Sequence, residues 1–261
     1  MLELNDVTLV SIDSVADHYS KNNIRLASLS RIVPNIIDNI KFGDILFINP
    51  FNKNSNLIKE EFDELWKLDK EKAHPIMWYS NFVIRKLPFL IKTKYYLIIQ
   101  WDGFPQNFNR WMNAFTYYPF IGGGHSTNNG GFSLRNTEVM KQMATIDDWF
   151  GTGAEDEFYS SFFDNKWMKD RNTPFKIAWP EKHSDLFCNW KSDINTFGWH
   201  RSNYSSYQNV YETYRNLGIF DELELNKLAQ YCMAKTLPNH LLIDNYMKEF
   251  DIDYNEEFFN I

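Results

Sequence analysis

Three short apolar runs, each stopped by turn-forming residues, most constrain what this chain can fold into. Val7-Thr8-Leu9-Val10-Ser11-Ile12 is rich in β-branched residues and ends at Asp13-Ser14. Asp44-Ile45-Leu46-Phe47-Ile48-Asn49 stops at Pro50, and Tyr95-Tyr96-Leu97-Ile98-Ile99-Gln100 runs into Trp101-Asp102-Gly103. Runs of this length and composition predict buried strands. Between the first two lies a helical pattern, roughly residues 14–40, with Pro34 as its point of interruption. Strand, helix, strand at this spacing predicts a βαβ unit, and with it a parallel sheet and a right-handed crossover.

The rest of the chain extends this α/β pattern. Amphipathic helices are predicted over residues 57–68 and 75–91, and a short helix over 107–115. Residues 117–121 read as a strand leading into a glycine-rich loop at 122–131. A short strand at 132–135 and a helix from about Thr137 follow. Residues 151–154 read as a second flexible loop, Glu155-Asp156-Glu157 as the opening of a helix, and 175–179 as a strand. Beyond about Asn203 strand signals vanish and helical periodicity runs to about Phe250. The expected organisation is a mostly parallel α/β domain over 1–202 with a helical C-terminal extension over 203–261.

Bulk properties narrow the function. The 261 residues suffice for a substantial core. The 17% aromatic content supplies core volume, and also ring faces suited to bases and sugars. With 27 basic against 34 acidic residues the net charge is −7, so the broad basic face that grips a nucleic-acid backbone is missing. A nucleoside diphosphate needs only a few groups and a metal, and stays open. Cys188 and Cys232 match no metal spacing and read as free thiols in a reducing compartment. The N-terminus lacks a signal-peptide pattern, and no stretch approaches the ~20 apolar residues of a membrane-spanning helix. The expected location is the cytoplasm of a bacterial or infected host cell.

Four features point to chemistry. Asp102 follows a buried strand, and ligands of parallel α/β sheets bind beyond the carboxyl ends of strands. A carboxylate there can hold a divalent cation bridging a diphosphate, although Asp-Gly is also a common turn pair. His200, after Phe197-Gly198-Trp199, could complete such a site, and carboxylate plus imidazole suits Mn²⁺, with Mg²⁺ also possible. The plainer reading of a lone histidine is a surface or hydrogen-bonded core residue. Glu155-Asp156 offers a general base, or simply caps its helix. The loop at 122–131 is neither a Walker loop nor a dinucleotide fingerprint. It offers close backbone approach, with Asn128 and Asn129 as polar partners. Otherwise it is a surface loop.

In order and spacing, several segments resemble a family of domains of uncharacterised function that is similar to GT-A glycosyltransferases. They are VTLVSIDS at 7–14, FGDILFIN at 42–49, the stretch 79–103 ending IIQWDG, NGGFSLR at 129–135, EDEF at 155–158 and FGWH at 197–200. Together they span roughly residues 5–201, with NGGFSLR and QWDG the most specific. The resemblance implies a GT-A-like, Rossmann-like sheet, a UDP-linked nucleotide-sugar donor, a glycan or other hydroxyl acceptor, and inverting hexosyl or deoxyhexosyl transfer assisted by Mn²⁺ or Mg²⁺. It implies that Ser11, Ile12 and Asp13 line the nucleotide pocket beside Trp101, and that Asn129, Gly130 and Gly131 shape the donor and acceptor floor. Asp102 and His200 would bind the metal, and Asp156 would be the base with Glu155 its rival. Gln100 stands where the usual Asp-x-Asp motif has its first aspartate.

That glutamine motivates a second expectation, a catalytically inactive glycan- or nucleotide-binding module of the same fold. A nucleotidyltransferase ranks below both, because Ser11-Ile12-Asp13-Ser14 lacks the basic, glycine-rich loop such enzymes need after the first strand. Trp101, Trp149 and Trp199 could stack on sugar faces, but as core or wall residues they need no ligand.

Overall fold

The computed structural model of the protein describes residues 1–12, 24–48, 75–123, 129–146, 154–164, 177–178, 180, 183–189, 195–200, 213–222 and 225. The chain divides into two compact units, Met1–His200 and Arg201–Ile261.

The first unit is mixed α/β and begins with the expected βαβ arrangement. Strand β1 (Leu2–Ile12), helix α1 (Ile24–Asn39) and strand β2 (Ile40–Ile48) follow one another, and β1 pairs with β2 in parallel. Strand β3 (Tyr95–Ile99) pairs in parallel with the other side of β1. Both β1 and β2 start earlier than their apolar runs. Exposed Glu3 pairs with exposed Lys41 there, and the register shifts between Leu4 and Thr8, neither of which side-chain patterning reveals. Pro34 lies inside α1 rather than ending it, and it faces solvent.

The predicted helix 75–91 is two helices, α2 (Pro75–Arg85) and α3 (Leu87–Leu90), separated at Lys86. Pro88 has no N–H to continue α2, but it is tolerated in the first turn of α3. The predicted helix at 107–115 is replaced by two 3₁₀ turns, Phe108–Arg110 and Asn113–Tyr117. Between them Trp111 and Met112 are extended, and the Trp111 ring packs edge-on against Phe115 and Phe197. This aromatic anchoring outweighs the local helical preference.

After β3 and the short β4 (Gly103–Pro105), strands β5 (Phe120–Gly123) and β6 (Asn129–Asn136) form an antiparallel pair. Strand β6 also pairs antiparallel with β3, so the sheet order is β2-β1-β3-β6-β5. Half of the predicted glycine-rich loop, all of it that is described, is therefore strand. Gly122 and Gly123 end β5, Asn129, Gly130 and Gly131 begin β6, and 124–128 lie outside the described residues. A Cβ on Gly123 would fall inside 3.0 Å of Cys188 Sγ, so that glycine allows close contact rather than a mobile loop.

Helix α4 (Thr137–Ala144) starts where the Asn136 side chain accepts from the Val139 N–H at 3.1 Å. Helix α5 (Glu155–Ser160) follows, then the strands β7 (Phe163–Asp164) and β8 (Ile177–Ala178), the latter inside the predicted 175–179, whose other residues lie outside the described ones. Residues of α2–α5 bury one sheet face, where Phe82, Val83, Met140, Met143 and Phe158 join Val10, Ile12, Tyr96 and Ile98 in one core. Helix α6 (Ser184–Phe187), β9 (Cys188–Asn189) and β10 (Gly198–His200) complete the unit, with a small sheet ordered β4-β10-β9. Phe132 of β6 stacks on Phe187, ring centroids 4.8 Å apart, and also meets Phe197. Aromatic rings thus join this small sheet to the main one.

In Arg201–Ile261, residues 213–217 are helical, Thr213 and Tyr214 are buried, and Tyr214 packs on Phe220. The predicted helix 57–68 lies outside the described residues, as does most of the C-terminal extension. No helix among the described residues is long and apolar enough to cross a membrane. Cys188 is a buried free thiol, and Cys232 lies outside the described residues.

Candidate functional site

Because β1, β2 and β3 are parallel, their carboxyl ends share one edge of the sheet. Strand β6 runs the other way, so its first residues reach that same edge. The edge thus gathers Ser11 and Ile12 from β1, Trp101 and Asp102 after β3, and Asn129, Gly130 and Gly131 from β6. Ser11 is buried between the partners Phe47 and Ile99, while the Ile12 side chain belongs to the helix-covered core. Asp13 and Trp149 lie outside the described residues.

Gln100 and Gly103 exchange backbone hydrogen bonds of 2.8 and 3.1 Å, making the tight turn that carries Trp101 and Asp102. The Asp-Gly turn reading therefore holds. Asp102 is nevertheless only 6% exposed, uncommon for a carboxylate whose sole task is to make a turn. The antiparallel pairing of β4 with β10 sets His200 opposite Gly103, one residue from Asp102. His200 is buried too, which sets aside the surface reading.

Gly131 shows how tightly this corner is drawn together. A Cβ there would fall inside 3.0 Å of both His200 Nε2 and Gln100 Oε1. Two polar atoms, one from the turn after β3 and one from β10, converge on this backbone and leave room for glycine but not for a Cβ. Carboxylate, imidazole and amide oxygen are a donor set that fits Mn²⁺ or Mg²⁺. Among the described residues no three His, Cys, Asp or Glu side chains cluster, so the set depends on the Gln100 oxygen as its third member. Trp199 is fully buried, edge-on to Phe104, and offers no face to a ligand. Trp101 is 7% exposed and forms wall rather than platform.

The structure separates the two acids of α5. Ala154 is the N-cap residue, and no side chain caps the helix, so the capping role expected of the acids is not played by Glu155. Glu155 instead turns inward and accepts from Arg135 Nη2 at 3.0 Å, with both side chains buried. Burial and the neighbouring Asp156 push its carboxyl up to about 7, against the pull of Arg135. Asp156 is half-buried. Its Oδ2 accepts from the Gly130 N–H at 3.3 Å, and its Oδ1 from the Glu157 N–H at 2.9 Å. Asn129 Oδ1 accepts from the Gly131 N–H at 2.8 Å, so its role is to shape the backbone.

Two residues escaped sequence reasoning. Arg135 is wholly buried, and its guanidinium lies 4.8 Å from the Phe120 ring centroid and 4.9 Å from that of Tyr159. Burial opposes its charge, yet Tyr96, Glu155 and Tyr159 around it hold its pKa above the ordinary value. A charged residue closing the otherwise apolar FSL run was the available signal. Tyr79 of α2 brings a buried hydroxyl close enough to Gln100, Glu155 and Asp156 to feel each of them. Its hydroxyl makes no hydrogen bond among the described residues, and the approach to Gln100 falls short of hydrogen-bond geometry. An aromatic residue in an amphipathic helix reads as core, which hid this one.

The described geometry thus gathers Ser11, Trp101, Asp102, Asn129, Gly130, Gly131, Asp156 and His200 along one strand edge, with Glu155 buried against Gly130 and paired with Arg135. Comparison with known proteins returns no matching family model, no similar curated protein and no similar solved structure.

Proposed function

We propose that the chain is a GT-A-like glycosyltransferase that moves a sugar from a nucleotide-sugar donor, UDP-linked in the first instance, to a hydroxyl of a glycan or similar acceptor. The observation that carries this reading is the convergence of Gln100 Oε1 and His200 Nε2 over Gly131, beside buried Asp102, with Asp156 held at the adjacent Gly130. Asp102, His200 and the Gln100 oxygen would hold Mn²⁺ or Mg²⁺. When bound, the cation supplies positive charge to a diphosphate. Ser11 and the end of β1 would border the nucleotide, and Gly130 and Gly131 would let the sugar approach the backbone.

Asp156 takes the proton of the attacking hydroxyl as its oxygen bonds to the anomeric carbon. The bond from that carbon to the diphosphate oxygen breaks, the nucleoside diphosphate leaves with the electron pair, and configuration inverts. Glu155 is the weaker choice for this role because Arg135 occupies its carboxyl.

Gln100 in place of an acid favours one other reading, a module of the same fold that binds donor without turnover. Melting temperature measured with UDP-, GDP-, dTDP- and CMP-sugars, with and without Mn²⁺, on wild type and Asp102→Ala tests both. A metal-dependent rise lost in Asp102→Ala supports the site, because a ligand that binds only the native state stabilises it. Released nucleotide then separates enzyme from binding module. No shift with any donor refutes the donor reading.

A further inference from the structure

The buried pair Arg135–Glu155 has no part in that reaction, and stability alone is a poor reason to keep it. Taking two charges out of water is expensive, and well-packed apolar residues often replace such pairs without loss. What distinguishes this pair is its contact with the backbone of the site.

Gly130 is held on both sides of its Cα. Its carbonyl oxygen accepts from Ser133 Oγ at 2.8 Å and from Arg135 Nη2 at 3.2 Å, and Arg135 Nε in turn donates to Ser133 Oγ at 3.0 Å. The N–H at the other end of that peptide, on Gly131, is taken by Asn129 Oδ1. The N–H of Gly130 itself points to Asp156 Oδ2. Two consecutive glycines have the widest backbone freedom of any residue pair. Their direction must therefore be set by these bonds. The guanidinium is fixed in turn by Glu155 and by the rings of Phe120 and Tyr159, one from the neighbouring strand and one from α5. Gly130 also cannot become alanine, since a Cβ would fall inside 3.0 Å of both Glu155 Oε1 and Arg135 Nη2.

We propose that Arg135 is a positioning residue, which fixes the Gly130 backbone so that its N–H aims the Asp156 carboxylate at the acceptor, with Glu155 as its buried counter-charge rather than a second base. This rests on the assignment of Asp156 as the base.

Two variants test it. Arg135→Met combined with Glu155→Met removes the pair without stranding either charge. Arg135→Lys keeps a charge opposite Glu155 but loses the planar fork that reaches Gly130 and Ser133 together. The readouts are Mn²⁺-dependent hydrolysis of the donor that wild type accepts, donor KM and melting temperature. For each variant that folds, kcat should fall by about 100-fold, the scale of a small misplacement of a reacting group. KM for the donor should change far less than kcat, because the pair lies behind Gly130 and reaches a donor only through that backbone. A folded variant that keeps wild-type kcat overturns the proposal, as does one whose KM rises while kcat holds. Should the double variant fail to fold, Arg135→Lys decides alone, and its own failure to fold would mark the guanidinium as structural and overturn the proposal. Wild type that turns over no donor sinks the underlying reading, and this proposal with it. That outcome is distinct from normal turnover in the variants.

Discussion

Gln100 Oε1, from the turn after β3, and His200 Nε2, from β10, close on the same point above Gly131. Gly131→Ala should therefore push one of them aside. Overpacking of this kind destabilises by roughly 1–3 kcal/mol. The variant should also lose the Mn²⁺-dependent part of any donor-induced rise in melting temperature. Calorimetry with Mn²⁺ and a nucleotide sugar checks this, and unchanged metal dependence would mean that this corner is not a ligand site.

Asp156→Asn should leave the fold nearly intact. One of its two backbone hydrogen bonds keeps an acceptor, and losing the other is worth about 1 kcal/mol. Transfer should fall by about 10²–10⁴, the usual contribution of a positioned base. Equal kcat in the variant and wild type would exclude Asp156 from proton transfer.

Glu155 makes stability depend on pH in an identifiable direction. Its carboxyl is raised from 4.5 to about 7. Between those values the unfolded chain releases the proton while the folded chain keeps it. The unfolded state then binds fewer protons, so this group's contribution to stability is full below about 4.5 and declines as pH rises through about 7. Glu155→Gln should flatten that decline, an effect on the order of 1–3 kcal/mol. Urea melts of both proteins at pH 5 and pH 8 measure it. Parallel pH trends in the two would show that Glu155 ionises normally in the fold.

Tyr79→Phe removes a buried hydroxyl with no hydrogen bond among the described residues. An unsatisfied buried polar group costs about 1–3 kcal/mol, so the variant should melt no lower than wild type and up to several degrees higher. A clear fall in melting temperature would mean that the hydroxyl is satisfied inside the fold.

The parallel core was legible in the sequence because its signal is local. Runs such as Val7–Ile12 are apolar regardless of what packs on them, and their spacing left room for one crossover helix. The placement of Asp102 after a buried strand followed from the same rule. Arg135 was not legible, since alternation along a strand says nothing about a partner twenty residues later. Its environment comes from register, which seats Tyr96 and Phe120 on either side of it, and from Glu155 on a separate helix. The strand character of Gly123, Gly130 and Gly131 was hidden for a related reason. Glycine there serves contacts with Cys188, Glu155 and His200, which exist only once the chain has folded.

Strand β6 sits between β3 and β5 although it follows β5 in the chain. The β5–β6 hairpin closes over only residues 124–128, whereas joining β1 to β3 encloses more than eighty residues. Short loops close first, because the entropy lost on closure grows with loop length. The hairpin can thus assemble early and dock as a finished piece, bringing Gly130 and Arg135 already in register. The glycine edge of the site would then be inherited from a local folding event, and the side bearing Asp102 and His200, which waits for β3 and β10, would be the last part to mature.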